Sequence, residues 1–226
     1  MSEFGPIARL GLAARRLLRG TPLLGVYQQY KYRSWLKQGR PLPSQGLPRL
    51  AKEATVKQYA RQFGLRVFIE TGTYLGDMVQ AVCGIFDQIY SIELSEELYS
   101  YAKRKFARTD NVAILHGDSG EILGQLLKTI DQPCLFWLDG HYSSGLPSAK
   151  GSTETPISAE LTHISQHVLV QQHVILIDDA RLFTGAGDYP DLDVVRSWAT
   201  TVGLEHFEIH DDIIRIHNVT RRAARS

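Results

Sequence analysis

Five apolar runs in this sequence lead into carboxylates, and these acids are the side chains best suited to chemistry. The acids are Glu70, Glu93, Asp118, Asp139 and the pair Asp178-Asp179, and the runs are RVFIET (66–71), QIYSIEL (88–94), VAILHGD (112–118), PCLFWLD (133–139) and HVILIDD (173–179). Apolar runs that alternate with helical segments predict a parallel sheet covered on both faces. Ligands of such sheets bind beyond the carboxyl ends of the strands, so we expect the acids to surround one site. The structural alternative, acids that only cap turns, would fit one or two positions better than five.

The first run leads into Glu70-Thr71-Gly72-Thr73-Tyr74-Leu75-Gly76, a strand–loop–helix junction with two glycines. Gly72 would let the backbone approach a ligand closely, and Gly76 would let the next helix pack near the loop. The segment is not a phosphate-binding G-x-G-x-x-G, and no lysine follows it as in a P-loop. If it stood alone, an ordinary tight turn would explain it.

Two further acids give this glycine loop a chemical context. Glu93 ends the second run, where a carboxylate can accept both hydroxyls of a ribose. Asp118 lies in Gly117-Asp118-Ser119 after the third run, where a carboxylate and a hydroxyl can receive the amine of an adenine ring. Together with the loop, these residues predict a nucleoside cofactor without a pyrophosphate.

In this order the segments resemble the class I S-adenosylmethionine-dependent methyltransferases. The motifs are FIETGTYLG (68–76), IYSIEL (89–94) and LHGDSGEIL (115–123), and the similarity covers about residues 50–219. The resemblance implies an α/β Rossmann-like fold: a seven-stranded sheet, mostly parallel with an antiparallel last strand, helices on both faces and an N-terminal helical extension. It also implies S-adenosylmethionine as the cofactor, held by Glu70, Thr71, Gly72, Gly76, Glu93, Leu94, Gly117, Asp118, Ser119 and Asp139.

A second constellation, Asp139 with Asp178 and Asp179, predicts a metal site if the fourth and fifth strands are neighbours. Three carboxylates above one cleft repel one another, and a divalent cation relieves that repulsion. Oxygen-only ligands favour Mg²⁺, Mn²⁺ or Ca²⁺ over zinc. The triad resembles that of catechol-type and sugar-type O-methyltransferases, which implies Mg²⁺-assisted methylation of a small hydroxylated acceptor, such as a sugar, a glycoconjugate or a natural product. Alternatively, the aspartates cap turns and Asp139 only helps to hold the cofactor.

The sequence differs from both families at the positions where they carry the general base. Catechol-type enzymes carry a lysine where this chain has Tyr142, and sugar-type enzymes carry a histidine where it has Ala180-Arg181. We therefore predict His141 as the base and name it, with Asp139, as a catalytic residue. His141 as a fourth metal ligand or a solvated loop residue is the alternative. Residues 140–154 are expected to form either the mouth of the site or a surface insertion.

Charge divides the 226 residues into two parts. Residues 1–50 hold nine basic residues against Glu3, a net charge of +8, and the remainder has a net charge of −7. Prolines in residues 40–48 indicate a linker, so we predict a basic helical extension over 1–48 and a methyltransferase domain over 49–226. Residues 1–40 are interpreted as a helix packed on the domain, a peripheral membrane anchor or an oligomerisation arm. A nucleic-acid partner is not expected, because the larger part is acidic.

Composition is that of an ordinary soluble globular chain, with 43% hydrophobic and 22% charged residues. No apolar run reaches the roughly 18 residues that a membrane span requires, and the first residues do not resemble a signal peptide. Cys83 and Cys134 lie in apolar segments and are predicted to be reduced thiols. These features predict a cytoplasmic protein, with contact at the inner face of the membrane left open. Two other function classes also stay open: a non-catalytic nucleoside-binding module and a metal-dependent hydrolase.

Overall fold

The computed structural model describes residues 21–41, 46–140 and 155–218. Its strands are β1 (Val67–Thr71), β2 (Gln88–Glu93), β3 (Val112–His116), β4 (Cys134–Leu138), β5 (Val174–Ile177), β6 (His206–His210) and β7 (Ile213–His217). Its helices are α1 (Pro22–Lys37), α2 (Arg49–Phe63), α3 (Asp77–Val82), α4 (Glu96–Lys105), α5 (Ser119–Leu127), α6 (Ile157–Ser165) and α7 (Leu192–Thr201). Short 3₁₀ turns cover Val170–Gln172 and Ala180–Leu182.

The strands form one sheet in the order β3-β2-β1-β4-β5-β7-β6. Strands β1 to β5 are parallel, and β7 is antiparallel to both of its neighbours. The predicted seven-stranded, mostly parallel sheet with an antiparallel last strand is therefore confirmed. Because the strand order reverses between β1 and β4, the carboxyl ends of these two strands flank the crevice in which open α/β sheets bind ligands.

Apolar side chains cover both faces of the sheet, which confirms the predicted helices on both sides. Every residue of β1 and β4 is buried, as expected for central strands of a parallel sheet. Alternate residues then supply two cores, since successive side chains of a strand point to opposite faces. One core contains Ile69 and Phe136 with α5, α6 and α7, and the other contains Phe68 and Trp137 with α1, α2 and α3.

Helix α1 joins the second core through Trp35, which is only 5% exposed. The indole N–H of Trp35 also donates to the carbonyl of Pro41 at 3.0 Å, which fixes the chain just beyond the helix. Residues 1–20 and 42–45 lie outside the described ranges, so the boundary proposed at residue 48 stays a prediction. In the described ranges, no helix has both the length and the hydrophobicity needed to cross a membrane.

Candidate functional site

Backbone hydrogen bonds continue past the strand ends and hold the predicted acids along one edge of the sheet. The amide of Asp139 donates to the carbonyl of Thr71 at 3.2 Å, which links the ends of β1 and β4. The amide of Asp178 donates to the carbonyl of Leu138 at 3.0 Å, which links β4 and β5. The sheet order places the ends of β3, β2, β1, β4 and β5 side by side. Acids that are far apart in the sequence therefore share one edge.

A cleft of about 580 Å³ opens beside this edge. Its lining includes Tyr27, Gln28 and Lys31 of α1, Arg49, Lys52 and Glu53 of α2, Glu70, Gly72, Thr73, Tyr74 and Asp77 of the glycine loop and its flanks, and Trp137 and Asp139 near the end of β4. The volume falls within the roughly 300–1,000 Å³ typical of small-molecule sites. The cleft is thus large enough for a nucleoside-sized ligand or a small acceptor, and charged groups line it.

Both glycines of the first junction are required by a left-handed backbone and by close packing. Gly72 has φ +85°, and a Cβ there would lie 2.5 Å from the carbonyl oxygen of Asp139. Gly76 has φ +67°, and its Cβ would lie 2.5 Å from the ring of Phe106. The predicted helix contact at Gly76 is therefore present. At Gly72, the close approach in the structure is to the backbone that follows β4, whereas an approach to a ligand stays a prediction.

Glu93 anchors the glycine loop at the end of β2. Its Oε2 accepts from the backbone amide of Tyr74 at 2.7 Å, and its Oε1 accepts from the amide of Ser95 at 3.0 Å. These two bonds fix the position of the carboxylate, and its contact with a ribose stays a prediction. The bond to Tyr74 also supports a residue whose φ is +49°.

Glu70 lines the same cleft but is almost fully buried, with 3% of its surface exposed. Burial raises its pKa well above the usual range, and the nearby charges of Asp139 and Glu93 act in the same direction. The hydroxyl of Ser91 donates to Oε2 of Glu70 and partly opposes this shift. A cation placed next to Glu70 would favour the ionised form.

The residues predicted for the adenine end are largely engaged within the protein. Asp118 caps α5, with its Oδ1 accepting from the amide of Gly120 at 2.8 Å. Ser119 is buried, and its hydroxyl donates to Oε1 of Glu160 at 2.6 Å. The carboxylate of Asp118 can therefore accept a further hydrogen bond from a ligand amine, whereas the hydroxyl of Ser119 already donates its hydrogen to Glu160.

Two neighbouring positions at this end, Leu94 and Gly117, contribute mainly backbone. The carbonyl of Leu94 lies 3.2 Å from Nε2 of His116. Gly117 has φ +143°, and a Cβ there would lie 2.8 Å from the side chain of Ile122. Gly117 is thus required by packing against α5, and a cofactor contact at either residue stays a prediction.

Glu160 of α6 is a buried acid of this edge that the sequence analysis missed. It is 1% exposed, and burial raises its pKa to about 7 despite the hydrogen bond from Ser119. A signal was present, because Glu160 lies on the helix face that carries Ile157, Leu161 and Ile164, which are all buried. An acid on an apolar helix face indicates a buried polar contact.

The predicted triad of Asp139, Asp178 and Asp179 is assembled by the ends of β4 and β5. One carboxylate oxygen from each residue lies within 4.8 Å of the others, and Asp178 and Asp179 are buried. This spacing and donor type suit a divalent cation. The structure thus brings together the residues on which the metal prediction rests.

A lysine that the sequence analysis missed lies at this triad. The ammonium of Lys52, on α2, donates to Oδ2 of Asp178 and lies 4.0 Å from Oδ2 of Asp139. Burial lowers the pKa of Lys52, but the charges of the triad outweigh burial and the net shift is upward. Burial raises the pKa of Asp178, and Lys52 opposes that shift. Lys52 shares a helix face with the buried Val56 and Tyr59, which is the signal that was overlooked.

Asp179 has a basic partner of its own. Its Oδ1 accepts from Nη1 of Arg181 at 2.7 Å, and Arg181 also pairs with the buried Asp212 in the turn between β6 and β7. Arg181 is therefore engaged with two carboxylates. The predicted base, His141, and the loop that follows it, 141–154, lie outside the described residues.

Comparison with known proteins identifies the fold. No protein-family model matches the chain, and no curated protein matches it. Among solved structures, a protein named as a caffeoyl-CoA O-methyltransferase from Staphylococcus aureus is 16% identical, with 87% of this chain and 97% of that chain covered and a TM-score of 0.53. The SAH-bound methyltransferase PaMTH1 from Podospora anserina is 13% identical, with coverages of 97% and 99% and a TM-score of 0.52. A protein named as an O-methyltransferase from Klebsiella pneumoniae is 13% identical, with coverages of 92% and 96% and a TM-score of 0.50. The chain therefore has the fold of the class I methyltransferases.

Proposed function

We propose that this chain is an S-adenosylmethionine-dependent methyltransferase that acts on an oxygen of a small hydroxylated acceptor. The observation that carries the proposal is the Gly72–Tyr74 loop, which lines a cleft of about 580 Å³ together with Glu70 and is held by the bond from the Tyr74 amide to Glu93. Two structures of the same fold are named O-methyltransferases, and a third was solved with bound SAH. The fold admits this activity, and the carboxylates supply the groups that it needs.

The described residues fit the cofactor at two points. Glu93 is a carboxylate at the expected ribose position, and the backbone bonds from Tyr74 and Ser95 hold it in place. Glu70 places a carboxyl near the expected ammonium of the methionine part. When bound, S-adenosylmethionine supplies a methyl group on a positively charged sulfur for attack by a nucleophile.

On the acceptor side, Asp139 is the residue best placed to orient a hydroxyl. Its side chain is 25% exposed and lines the cleft, so it can accept a hydrogen bond from the acceptor and take its proton. His141 stays the other candidate for the base. For the predicted Mg²⁺ the oxygen donors are suitable, but the ammonium of Lys52 already contacts Asp178 at that position. Either cation would serve the same purpose, which is to stabilise negative charge on the acceptor oxygen.

Calorimetric titration of S-adenosylmethionine into the purified protein tests the proposal. We expect micromolar binding, about −8 kcal/mol. Replacing Glu93 by Gln removes a charged acceptor from the ribose contact, so Glu93→Gln should weaken binding at least tenfold, by about 1.4 kcal/mol. Asp131→Asn is the matched control, because Asp131 is an exposed acid that precedes β4 at the other end of the sheet.

Thermal unfolding of both variants shows whether the glycine loop has kept its structure. The cofactor assignment would be wrong if the wild type bound no S-adenosylmethionine. It would lose its main support if Glu93→Gln and Asp131→Asn bound equally well.

A further inference from the structure

The acidic cluster of Asp139, Asp178 and Asp179 contains a basic side chain of this chain. Lys52 extends from α2 to the ends of β4 and β5, with its side chain 19% exposed. Its ammonium donates to Oδ2 of Asp178, whose side chain is fully buried, and lies 4.0 Å from Oδ2 of Asp139. The lysine nitrogen thus lies next to two of the three carboxylates that a metal ion would have to bridge.

A divalent cation bound through Oδ2 of Asp178 would compete with Lys52 for that oxygen. A bound cation would lie roughly 2.0–2.6 Å from its ligand oxygens, and an ammonium in contact with Oδ2 of Asp178 takes that position. Two positive charges so close together would also repel each other strongly in a partly buried site. The contact with Asp178 therefore excludes a metal ion from that oxygen for as long as Lys52 stays there.

Asp178 depends on Lys52 for a partner. Among the described residues, Oδ1 of Asp178 has no hydrogen-bond donor, and Lys52 is the donor to Oδ2. Removing the ammonium would leave a buried carboxylate without a partner, which is strongly unfavourable. Asp179 is already paired with Arg181, so this chain supplies a cation to both buried acids.

The open side of the cluster faces the cleft. Lys52 and Asp139 both line the cleft, and the side chain of Asp139 is 25% exposed. An ammonium carries three donors, and Asp178 accepts one of them. The others are available to Asp139 and to an oxygen of a molecule in the cleft.

We propose that Lys52 takes the place of the divalent cation, so that the site binds a negatively polarised acceptor oxygen without a metal ion. The ammonium, held by Asp178, provides the positive charge that a metal ion would otherwise provide. The class of acceptor, a molecule with an acidic hydroxyl or a carboxylate, rests on the proposed function. The replacement of a metal by Lys52 does not depend on it.

The test is the binding of Mn²⁺, followed by the electron paramagnetic resonance signal of the free ion. Wild type should bind Mn²⁺ more weakly than millimolar. Lys52→Met keeps the length of the side chain and removes the charge, so it should bind at least tenfold more tightly, and Lys52→Met/Asp178→Asn should lose that gain. Lys57→Met, on the same helix and less buried, is the control and should behave as the wild type.

Thermal unfolding provides a second readout, and it also shows whether each variant is folded. Lys52→Met should unfold at a lower temperature than the wild type, and Mn²⁺ should restore part of the loss in this variant alone. Lys52→Arg should keep both the stability and the weak Mn²⁺ binding of the wild type. Lys52→Met/Asp178→Asn should regain part of the lost unfolding temperature without Mn²⁺, because it no longer buries an unpaired carboxylate.

Two results would overturn the proposal. One is micromolar Mn²⁺ binding by the wild type that Asp178→Asn removes, because the cluster would then bind a divalent cation even with Lys52 present. The other is equal Mn²⁺ binding by the wild type and Lys52→Met. Neither readout uses S-adenosylmethionine, so failure of the cofactor titration would be distinguishable from failure here.

Discussion

Single buried carboxyl groups determine much of the chemistry expected at this site. Glu70 has a raised pKa because burial disfavours its charged form, and only the hydroxyl of Ser91 opposes that effect among the nearby groups. Binding a cation beside such a group requires the ionised form, so binding and proton release are coupled. This coupling can be measured even before the acceptor is known.

We expect S-adenosylmethionine to bind more weakly as the pH is lowered through the raised pKa of Glu70. The ammonium of the cofactor favours ionised Glu70, so below that pKa binding must release a proton, whereas above it the affinity should be constant. Titration in two buffers with different ionisation enthalpies measures the number of protons released. Glu70→Gln should bind more weakly and release none of these protons, and Asp131→Asn should behave as the wild type. The same proton release from Glu70→Gln would show that another group is responsible.

At the scale of secondary structure, the strands were predicted and two charged helix residues, Lys52 and Glu160, were missed. The five apolar runs correspond to β1 to β5 within two residues at each end, because central parallel strands are apolar on both faces. Lys52 and Glu160 were missed because a charged residue on a helix is normally solvated. Their positions on the apolar faces of α2 and α6 indicated a contact within the protein, but only the packing of these helices against the sheet shows which groups they contact. The partner of Asp178 was therefore hidden, although Asp178 itself was found.

The turn after β1 is the element whose geometry matters most for the site. A Cβ at Gly72 would lie 2.5 Å from the backbone oxygen of Asp139, where nothing flexible can move aside. Gly72→Ala should thus separate the ends of β1 and β4 and lower the free energy of unfolding by roughly 2–4 kcal/mol, as strained and overpacked positions do. Urea denaturation measures this change. Gly84→Ala is the control, because nothing lies within 4 Å of a Cβ there. Equal losses for the two variants would contradict the packing argument.

Over the whole molecule, the basic amino-terminal part meets the acidic domain directly. Trp35 of α1 is buried in a core of the domain, Lys31 lines the cleft, and Arg40 lies 3.4 Å from Asp211. At least this part of residues 1–40 is packed on the domain. Membrane contact and oligomerisation stay predictions, since residues 1–20 lie outside the described ranges.

Two buried groups at opposite ends of the strands, His173 and Glu160, make the stability of the fold depend on pH in opposite directions. Before β5, burial lowers the pKa of His173 from 6.5 to about 3, and its Nδ1 accepts from the amide of Cys134 at 3.0 Å. The folded state resists protonation of His173, so its contribution to stability is lost as the pH falls from 6.5 towards 3. Beyond β4 and β5, burial raises the pKa of Glu160 from 4.5 to about 7. The folded state holds that proton, so stability is lost as the pH rises from 4.5 to 7.

Between about pH 4.5 and 6.5, a rise in pH lowers the stability through Glu160 and raises it by a similar amount through His173. Removing one of the two titrating groups should therefore reveal the pH dependence of the other. Glu160→Gln keeps an oxygen that accepts from Ser119 and removes the acid. The variant should match the wild type near pH 4.5 and become more stable as the pH rises, by up to about 3 kcal/mol at pH 7 and above. Its stability should fall on acidification through this range, as His173 dictates. Urea denaturation at a series of pH values measures both effects, and Glu121→Gln, an exposed acid on α5, is the control. A constant difference between Glu160→Gln and the wild type across this range would mean that Glu160 titrates normally in the folded protein.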